Sequence, residues 1–533
     1  MDSNINSNKE NEKEICKEIV DKIYETYNEN EYMRKRIIHY FQTQLEPMFE
    51  TIQKNHILRQ HHTNEMTTEQ NNFIHSFIQK YKYYYIHTTD RFIYYDEIKY
   101  SSVSEDDIIY HILSDISKDR TLMTWKQRTK NTIMKRIRET SIYRTIPNSE
   151  TIQYVLDSLC PLLFTNKTEV KYFLAVIGDN LLKKEQHLIH LISSKAKYFL
   201  HELNNFAQIY FGHHIHNTFK YKYHEHDYIN CRIINIVDTV KSNTQWGELL
   251  KYDSLNILCV AIHYSVRYDS ADRFLLECNT DKQIEDNIWF LKNNSQEEIV
   301  DYFLHEYIRP SNDNYSSIPW KTMFYLWKHF LDVHKLPAIM FQSDLNHLLI
   351  ERWKCSMRTY DDKTNMFIGA FSKYMPSIQS FLAFWSEHMV YDITEYDLEI
   401  DEIATLFRTD CKLKGDVVHS LSDKQILDFI SYFLPNVEIE NDKYVQKWKC
   451  RLWDKCIDVE LAISSFHSTI STECSSPMHM VSIYELYETY CAKKHAEHLP
   501  VVNKHYFEKY VFENMSNYII EEKFIDIASM QSF

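Results

Sequence analysis

The segment His187–Tyr210, HLIHLISSKAKYFLHELNNFAQIY, decides how the chain is to be read. His187 to Ile192 is a short apolar run of strand length, Ser193-Ser194 breaks it, and Lys195 to Tyr210 places its apolar residues at helical spacing. Helical spacing from Val170 to Gly178 precedes it. Strand-like segments at Phe219 to Tyr223 and at Cys231 to Asp238 (CRIINIVD) follow it. Residues 161–310 are therefore expected to form a mixed α/β domain.

Upstream, Tyr83 to Tyr95 (YYYIHTTDRFIYY) predicts a hairpin around a Thr-Thr-Asp turn. Ser104 to Asp107 (SEDD) comes close to a capping box before a helical run Ile108–Ile116. Leu122 to Arg144 continues as an amphipathic basic helix that Ile146-Pro147-Asn148-Ser149 ends, giving a hairpin plus basic helical domain over 73–160. Residues 1–72 are expected to be helical, with a loose terminus from Met1 to Ile15 and a polar linker from Arg59 to Asn72. 

Past a loop at Arg309–Pro319 (RPSNDNYSSIP) almost everything is expected to be helix, divided into domains 318–410 and 411–533, with another loop at Ser471–Met478. An internal echo appears there. Leu326-Trp327 and Phe330, the turn Leu336-Pro337, then Phe341, Leu345 and Leu348 are repeated by Leu486-Tyr487 and Tyr490, Leu499-Pro500, then Phe507, Tyr510 and Val511. Two helix-turn-helix-like units follow from this, with ordinary αα-hairpins as the alternative. The fold class is thus mainly α, with a small hairpin and a mixed α/β middle.

Composition narrows the chemistry. In 533 residues there are five glycines, Gly178, Gly212, Gly247, Gly369 and Gly415, against an average usage of about 7%. Backbone cradles for phosphate need closely spaced glycines, so neither G-x-x-x-x-G-K-[ST] nor G-x-G-x-x-G can be written, and G-x-S-x-G is also absent. Eleven cysteines without a C-x-x-C pair point to reduced thiols and not to a disulfide framework or zinc knuckle. No apolar stretch is long enough to span a membrane, and the first residues lack a signal peptide's basic start and apolar centre, so a cytosolic or nuclear location is expected. A formal net charge of −15 argues against wholesale wrapping by nucleic acid, while leaving room for a local basic face.

That face is the helix with Lys126, Arg128, Lys130, Lys135, Arg136, Arg138 and Arg144 against a single acid, Glu139: the expected phosphate contacts, unless it is a solvated surface balancing acidic neighbours. Lys443 to Lys455 is also basic and aromatic, but Val445, Trp448 and Leu452 at i, i+3 and i+7 suggest a core stripe. His213, His214, His216, His224, His226 and Cys231 could offer metal ligands, His224 and His226 sharing a face if on a strand. Their spacing matches no closed zinc signature, and a polar strand edge accounts for them better. The acids Asp392, Glu395, Asp397, Glu399, Asp401 and Glu402 are expected to decorate the first turns of a helix ending near Phe407. No nucleophile frame is diagnostic, so no catalytic, cofactor or metal residue is assigned.

Phe92-Ile93-Tyr94-Tyr95 to Tyr100, the helix after Ser104, Lys171 to Gly178 (KYFLAVIG), the strand His187–Ile192, the helix from Lys195 and the strand Cys231–Asp238 stand in the order found in the poxvirus-type primase-helicases of helicase superfamily 3, which the chain resembles from Arg91 to Asp238. That family's phosphate loop would fall on Ser193-Ser194-Lys195-Ala196-Lys197, which has no glycine for a backbone nest and no Ser or Thr after the lysine for Mg²⁺. Asp238 would take the place of its acidic metal residue. Ile483 to Tyr518 resembles the winged-helix-like tails attached to such helicases. Segments such as FKYKYHEHDYINCR and WKTMFYLWKHFL, with the scarce glycine, resemble an uncharacterised protein family of nucleocytoplasmic giant viruses. The resemblance implies a catalytically silent, DNA-associated accessory protein of viral genome replication, meeting DNA through the basic helix and viral replication proteins elsewhere. It would sit in a viral factory of the host cytoplasm or in the nucleus. The alternative is a helical scaffold of the viral factory with no nucleic-acid role.

Overall fold

Met66, Gln70, Ile74 and Phe77 recur at helical spacing, and all four are buried. Their stripe carries one helix through Arg59–Asn72, where a linker is expected from the sequence. The Asn and Thr residues there mark the solvated side of the helix and not a break in it. A computed structural model describes residues 2–118, 120–144, 146, 149–241, 244–278, 281–311, 316–356, 358–393, 397–415, 421–473, 480–496, 499–521 and 523–526. The chain divides into two compact units, Met1–Asn293 and Asn294–Phe533. Among the described residues it is mainly helical, with sheets of two or three short strands, and no helix is long and apolar enough to cross a membrane.

The first unit opens with α1 (Asp2–Thr26), α2 (Glu31–Tyr40) and α3 (Glu46–Lys80), with a π-helical turn at Phe41–Leu45 joining the last two. The expected loose terminus is thus helical from Asp2. Its Lys and Glu residues lose little rotamer freedom in a helix, whether or not the helix buries anything. β1 (Lys82–Ile86) and β2 (Arg91–Tyr95) form the expected antiparallel hairpin with Ile86 opposite Arg91, and β3 (Tyr100–Val103) extends it. Ser104 caps α4 (Glu105–Lys118): its hydroxyl accepts from the Asp107 amide at 3.1 Å, and the Asp107 carboxylate accepts from the Ser104 amide at 3.3 Å. 

Next come α5 (Lys126–Glu139), α6 (Glu150–Leu159) and α7 (Lys167–Leu181). The mixed α/β part is β4 (Ile189–Ile192), α8 (Lys197–Phe211), β5 (Phe219–Lys220) and β6 (Cys231–Ile234), a parallel sheet in the order β5-β4-β6. Parallel neighbours need a crossover, and α8 provides it between β4 and β5. α9 (Gln245–Tyr268), α10 (Ala271–Glu277), α11 (Lys282–Ile288) and α12 (Phe290–Asn293) complete the unit. 

Under the sheet Arg232 is held on all sides, by Asp272 at 2.7 to 3.1 Å and by the carbonyls of Ile229 and Cys231 at 2.8 Å. Asp179 of α7 is also buried, accepting from the Ser265 hydroxyl and, at 2.8 Å, from the Ala271 amide. Burial outweighs those bonds and lifts its pKa to about 6. The unfolded chain therefore ionises first as pH rises from about 4, and stability falls until about pH 6, by on the order of 2–3 kcal/mol. Asp179→Asn, which keeps an acceptor for the Ala271 amide and can donate to Ser265, should stabilise the protein at pH 7 and lose that advantage near pH 4. Urea unfolding at the two pH values checks this; an equal effect at both would contradict it.

The second unit repeats one arrangement three times: helix, short strand, helix, helix, two-stranded hairpin, with the hairpin's second strand paired to the first strand. The first module runs Gln296–Tyr307, Ser317–Pro319, Trp320–Val333, Gln342–Cys355, Tyr360–Asp361 and Met366–Ile368. The second runs Met375–His388, Asp397–Glu399, Ile400–Lys414, Asp423–Phe433, Ile439–Glu440 and Tyr444–Gln446. The third runs Lys455–Glu473, Met480–Ser482, Ile483–Ala496, Lys504–Asn514, Ile519–Ile520 and Phe524–Asp526. The register is the same in each: Phe367 opposite Ile318, Val445 opposite Leu398, and Ile525 opposite Val481, all six buried. One hydrogen bond also recurs, from the first amide of the second helix to the carbonyl just before the last strand: Trp320 to Asn365 at 2.9 Å, Ile400 to Lys443 at 3.0 Å and Ile483 to Lys523 at 3.0 Å.

The two helix-turn-helix-like pairs expected from the sequence are the middle helices of the first and third modules. Several expectations change. The Arg309–Pro319 loop contains short strands at Arg309–Pro310 and Ser317–Pro319, its residues 312–315 lying outside the described ones. The helix Gln296–Tyr307, assigned to the α/β region from sequence, packs with the second unit, Phe303 edge-on to Trp327 at 5.3 Å. Lys443–Lys455 is a pair of strands and a turn, so the helical stripe does not exist: Val445 is buried while Leu452 is exposed. Of the Ser471–Met478 loop, Ser471–Glu473 ends a helix and the rest lies outside the described residues.

Candidate functional site

α5 buries Thr129, Ile133, Met134 and Ile137 and turns its cations outward. Six of the seven expected phosphate-binding residues lie on it. Arg144 does not, because the helix stops at Glu139, Thr140 is extended, and Ile142 and Ile146 dip into the core. Helical spacing separates the six. Lys130, Lys135 and Arg138 line one open groove, Arg128 and Arg136 are exposed but are not among its lining residues, and Lys126 donates to Ser117 at 3.2 Å. 

The groove has a volume of about 470 Å³ and is lined also by His87, Glu105, Ile109, Asn131, Met134 and Glu139. Glu105 pairs with Arg138 at 2.9 Å, and Glu139 lies 4.0 Å from Lys135, so part of the positive charge is answered within the site. Arg138 also lies against the rings of Tyr85 and Phe92, at 5.9 and 5.8 Å, and Arg128 against Trp125 at 4.6 Å. The arrangement offers cations for phosphate beside an apolar floor of Ile109 and Met134. His87 and Asn131 were missed from sequence: His87 reaches the groove only because the β1–β2 turn folds beside α5, and no local pattern announces that.

A second feature lies at the carboxyl ends of β4 and β6, the edge where open parallel sheets bind ligands. Lys195 and Asp238, forty-three positions apart, meet there at 2.7 Å. The backbone between β4 and α8 is a 3₁₀ turn, Ser194–Ala196. Three successive amides are consumed within the turn: Lys195 donates to the Ser193 hydroxyl at 3.3 Å, Ala196 to the Ser193 carbonyl at 3.0 Å, and Lys197 to the Ser194 carbonyl. A phosphate nest needs successive N–H groups aimed at one anion, and these are turned inward. The lysine has an acid for a partner where a phosphate would need it free. The strand expected to run to Asp238 ends at Ile234, leaving Asp238 on the next 3₁₀ turn.

The histidine-rich stretch does not assemble. β5 ends at Lys220, so His224 and His226 lie beyond it with rings 6.4 Å apart, and among the described residues no group of three ligating side chains converges. Burial pushes the Cys231 thiol up to about 11. Of the acidic run, Glu395 lies outside the described residues, Asp397–Glu399 is a strand, and Asp401 and Glu402 start a helix that continues to Lys414, not Phe407. Glu402 is buried against Lys455 at 2.6 Å, which makes it structural. 

Comparison with models of protein families, with curated proteins and with solved structures finds no match to the chain.

Proposed function

We propose that the protein is a non-catalytic, nucleic-acid-associated factor that meets phosphates through the groove side of α5. The observation that carries this reading is the set Lys130, Lys135 and Arg138 on one open groove beside aromatic and apolar surface, in a chain whose net charge is otherwise strongly negative. The inward-turned amides of Lys195, Ala196 and Lys197 and the Lys195–Asp238 pair support the non-catalytic half of the reading. The order of strand, turn, helix and acid supports descent from a primase-helicase core of large DNA viruses, with a role in genome replication inside the host cytoplasm or nucleus and viral replication proteins as partners. The runner-up, a scaffold without a nucleic-acid role, draws on the two acids that share the groove.

Fluorescence anisotropy of labelled single-stranded and duplex DNA tests the proposal on two variants. Lys130→Gln with Lys135→Gln and Arg138→Gln should weaken binding and flatten its salt slope by about 0.9 per lost phosphate contact on duplex DNA. Arg128→Gln with Arg136→Gln should act less. Equal affinity in all three proteins would overturn the assignment of the groove.

A further inference from the structure

The threefold repeat of the second unit points to a second contact with nucleic acid, independent of α5. In a helix-turn-helix the second helix of the pair enters the major groove and its first turns touch base edges. Three helices hold that place: Gln342–Cys355, Asp423–Phe433 and Lys504–Asn514. 

Stacking between modules takes up the second and ties down the third. Asp423–Phe433 lies along the first module's Trp320–Val333: the Tyr325 ring packs on Phe429, Tyr432 and Phe433 at 5.1 to 5.6 Å, Tyr432 donates to the Lys321 carbonyl at 2.9 Å, and Lys424 is 3.6 Å from Asp332. The start of Lys504–Asn514 is anchored on the second module, because the amide of its cap Asn503 donates to the buried Glu402 at 2.8 Å. Among the described residues of the second unit, Gln342 and Ser343 at the start of Gln342–Cys355 are exposed. There Ser343, His347, Glu351 and Lys354 recur at i, i+4, i+8 and i+11 on an exposed stripe, with Gln342 exposed beside them. 

The chemistry of that stripe suits base edges. Gln pairs bidentately with adenine, Ser with either partner type, and Glu accepts from cytosine. Lys354, its ammonium 5.9 Å from the Tyr360 ring, Arg358 just beyond the helix, its guanidinium 4.6 Å from the Trp353 ring, and Lys363 in the following hairpin are the nearby cations that backbone phosphates would need. Most of the chain's formal charge of −15 falls in the second and third modules, leaving the first close to neutral. We propose that the first module docks duplex DNA with Gln342–Cys355 in the major groove, the other two modules acting as its rigid support.

The test uses the full chain and a labelled mixed-sequence duplex. Replacing His347, Lys424 or Lys135 in turn by photo-reactive p-benzoylphenylalanine, all exposed positions, reports which helices lie against DNA. The expected result is a DNA adduct at 347 several times stronger than at 424. Adducts at 135 but none at 347 would overturn this inference while leaving the α5 reading intact, and adducts at neither would sink both. An adduct at 347 between two copies of the chain would assign the helix to protein docking and equally overturn the proposal. Independently, Lys354→Gln with Arg358→Gln and Lys363→Gln should reduce the salt slope on duplex DNA by up to about two to three units; an unchanged slope would contradict the phosphate roles.

Discussion

Gly178→Ala will destabilise the first unit by at least about 2–3 kcal/mol, the reverse of what helix propensity alone predicts. Glycine inside a helix costs roughly 1 kcal/mol relative to alanine, so at an open position the substitution should help. Gly178 sits where α7 crosses α9, and a Cβ there would come 2.2 Å from the Ala261 carbonyl oxygen and 2.7 Å from the Ser265 Cβ. The first of these is backbone and cannot swing away, so the two helices must separate within a core that includes Val176, Ile177, Ile257 and Ile262. Gly247, also helical, has nothing within 4 Å of its would-be Cβ, and Gly247→Ala should gain a few tenths of a kcal/mol up to about 1. Urea unfolding of the two variants should give opposite signs. If Gly178→Ala proved as stable as the starting protein, the close approach of α7 and α9 would be wrong.

Glu402→Gln should cost about 3–5 kcal/mol and loosen the third module from the second. Its carboxylate is 3% exposed and accepts four hydrogen bonds: from Lys455 at 2.6 Å, the Glu399 amide at 2.9 Å, and the Asn503 amide and side chain at 2.8 and 3.3 Å. Neutralising it leaves the Lys455 ammonium buried without its counter-charge. The pair itself contributes little net stability, since desolvation outweighs Lys455 and holds the Glu402 pKa above the usual carboxylate range. It follows that adding Lys455→Met to Glu402→Gln, which removes the orphaned ammonium while the Gln oxygen can still accept from the Asn503 amide, should recover much of that loss. Denaturant unfolding of the single and double variants separates the two effects; a single variant as stable as the double would contradict the pairing.

What the sequence revealed tracks how local each feature is. The β1–β2 hairpin, the Ser104 cap and the β4-turn-α8 passage are each written in a few consecutive residues, and they appear where expected. The middle helices of the first and third modules announced themselves through Leu-Pro turns. The second module's sequence has no Leu-Pro pair between Ile400–Lys414 and Asp423–Phe433, and its strands are two or three residues long, so its likeness to the others lies in the pairing of Leu398 with Val445, far apart in the chain. Periodicity cannot show that. Polarity misled at Arg59–Asn72 and at Glu10–Ile15, where a solvated helix face looks like a loop. The groove at α5 was half legible: its cations stood out, but which of them line the groove, the pairing of Arg138 with Glu105 and the loss of Arg144 to a non-helical segment depend on the fold. The meeting of Lys195 with Asp238 was foreseen only as two positions, not as a bond.

The account turns on phosphate binding without nucleotide chemistry, and one titration addresses both parts: the affinity for labelled duplex DNA across a series of salt concentrations at one fixed Mg²⁺ concentration, with ATP or with an equal concentration of tripolyphosphate. The account predicts binding at low salt that weakens steeply as salt rises, with the same slope and affinity in ATP as in tripolyphosphate. Absence of binding even at low salt, or an affinity several-fold different with ATP than with tripolyphosphate, would contradict it.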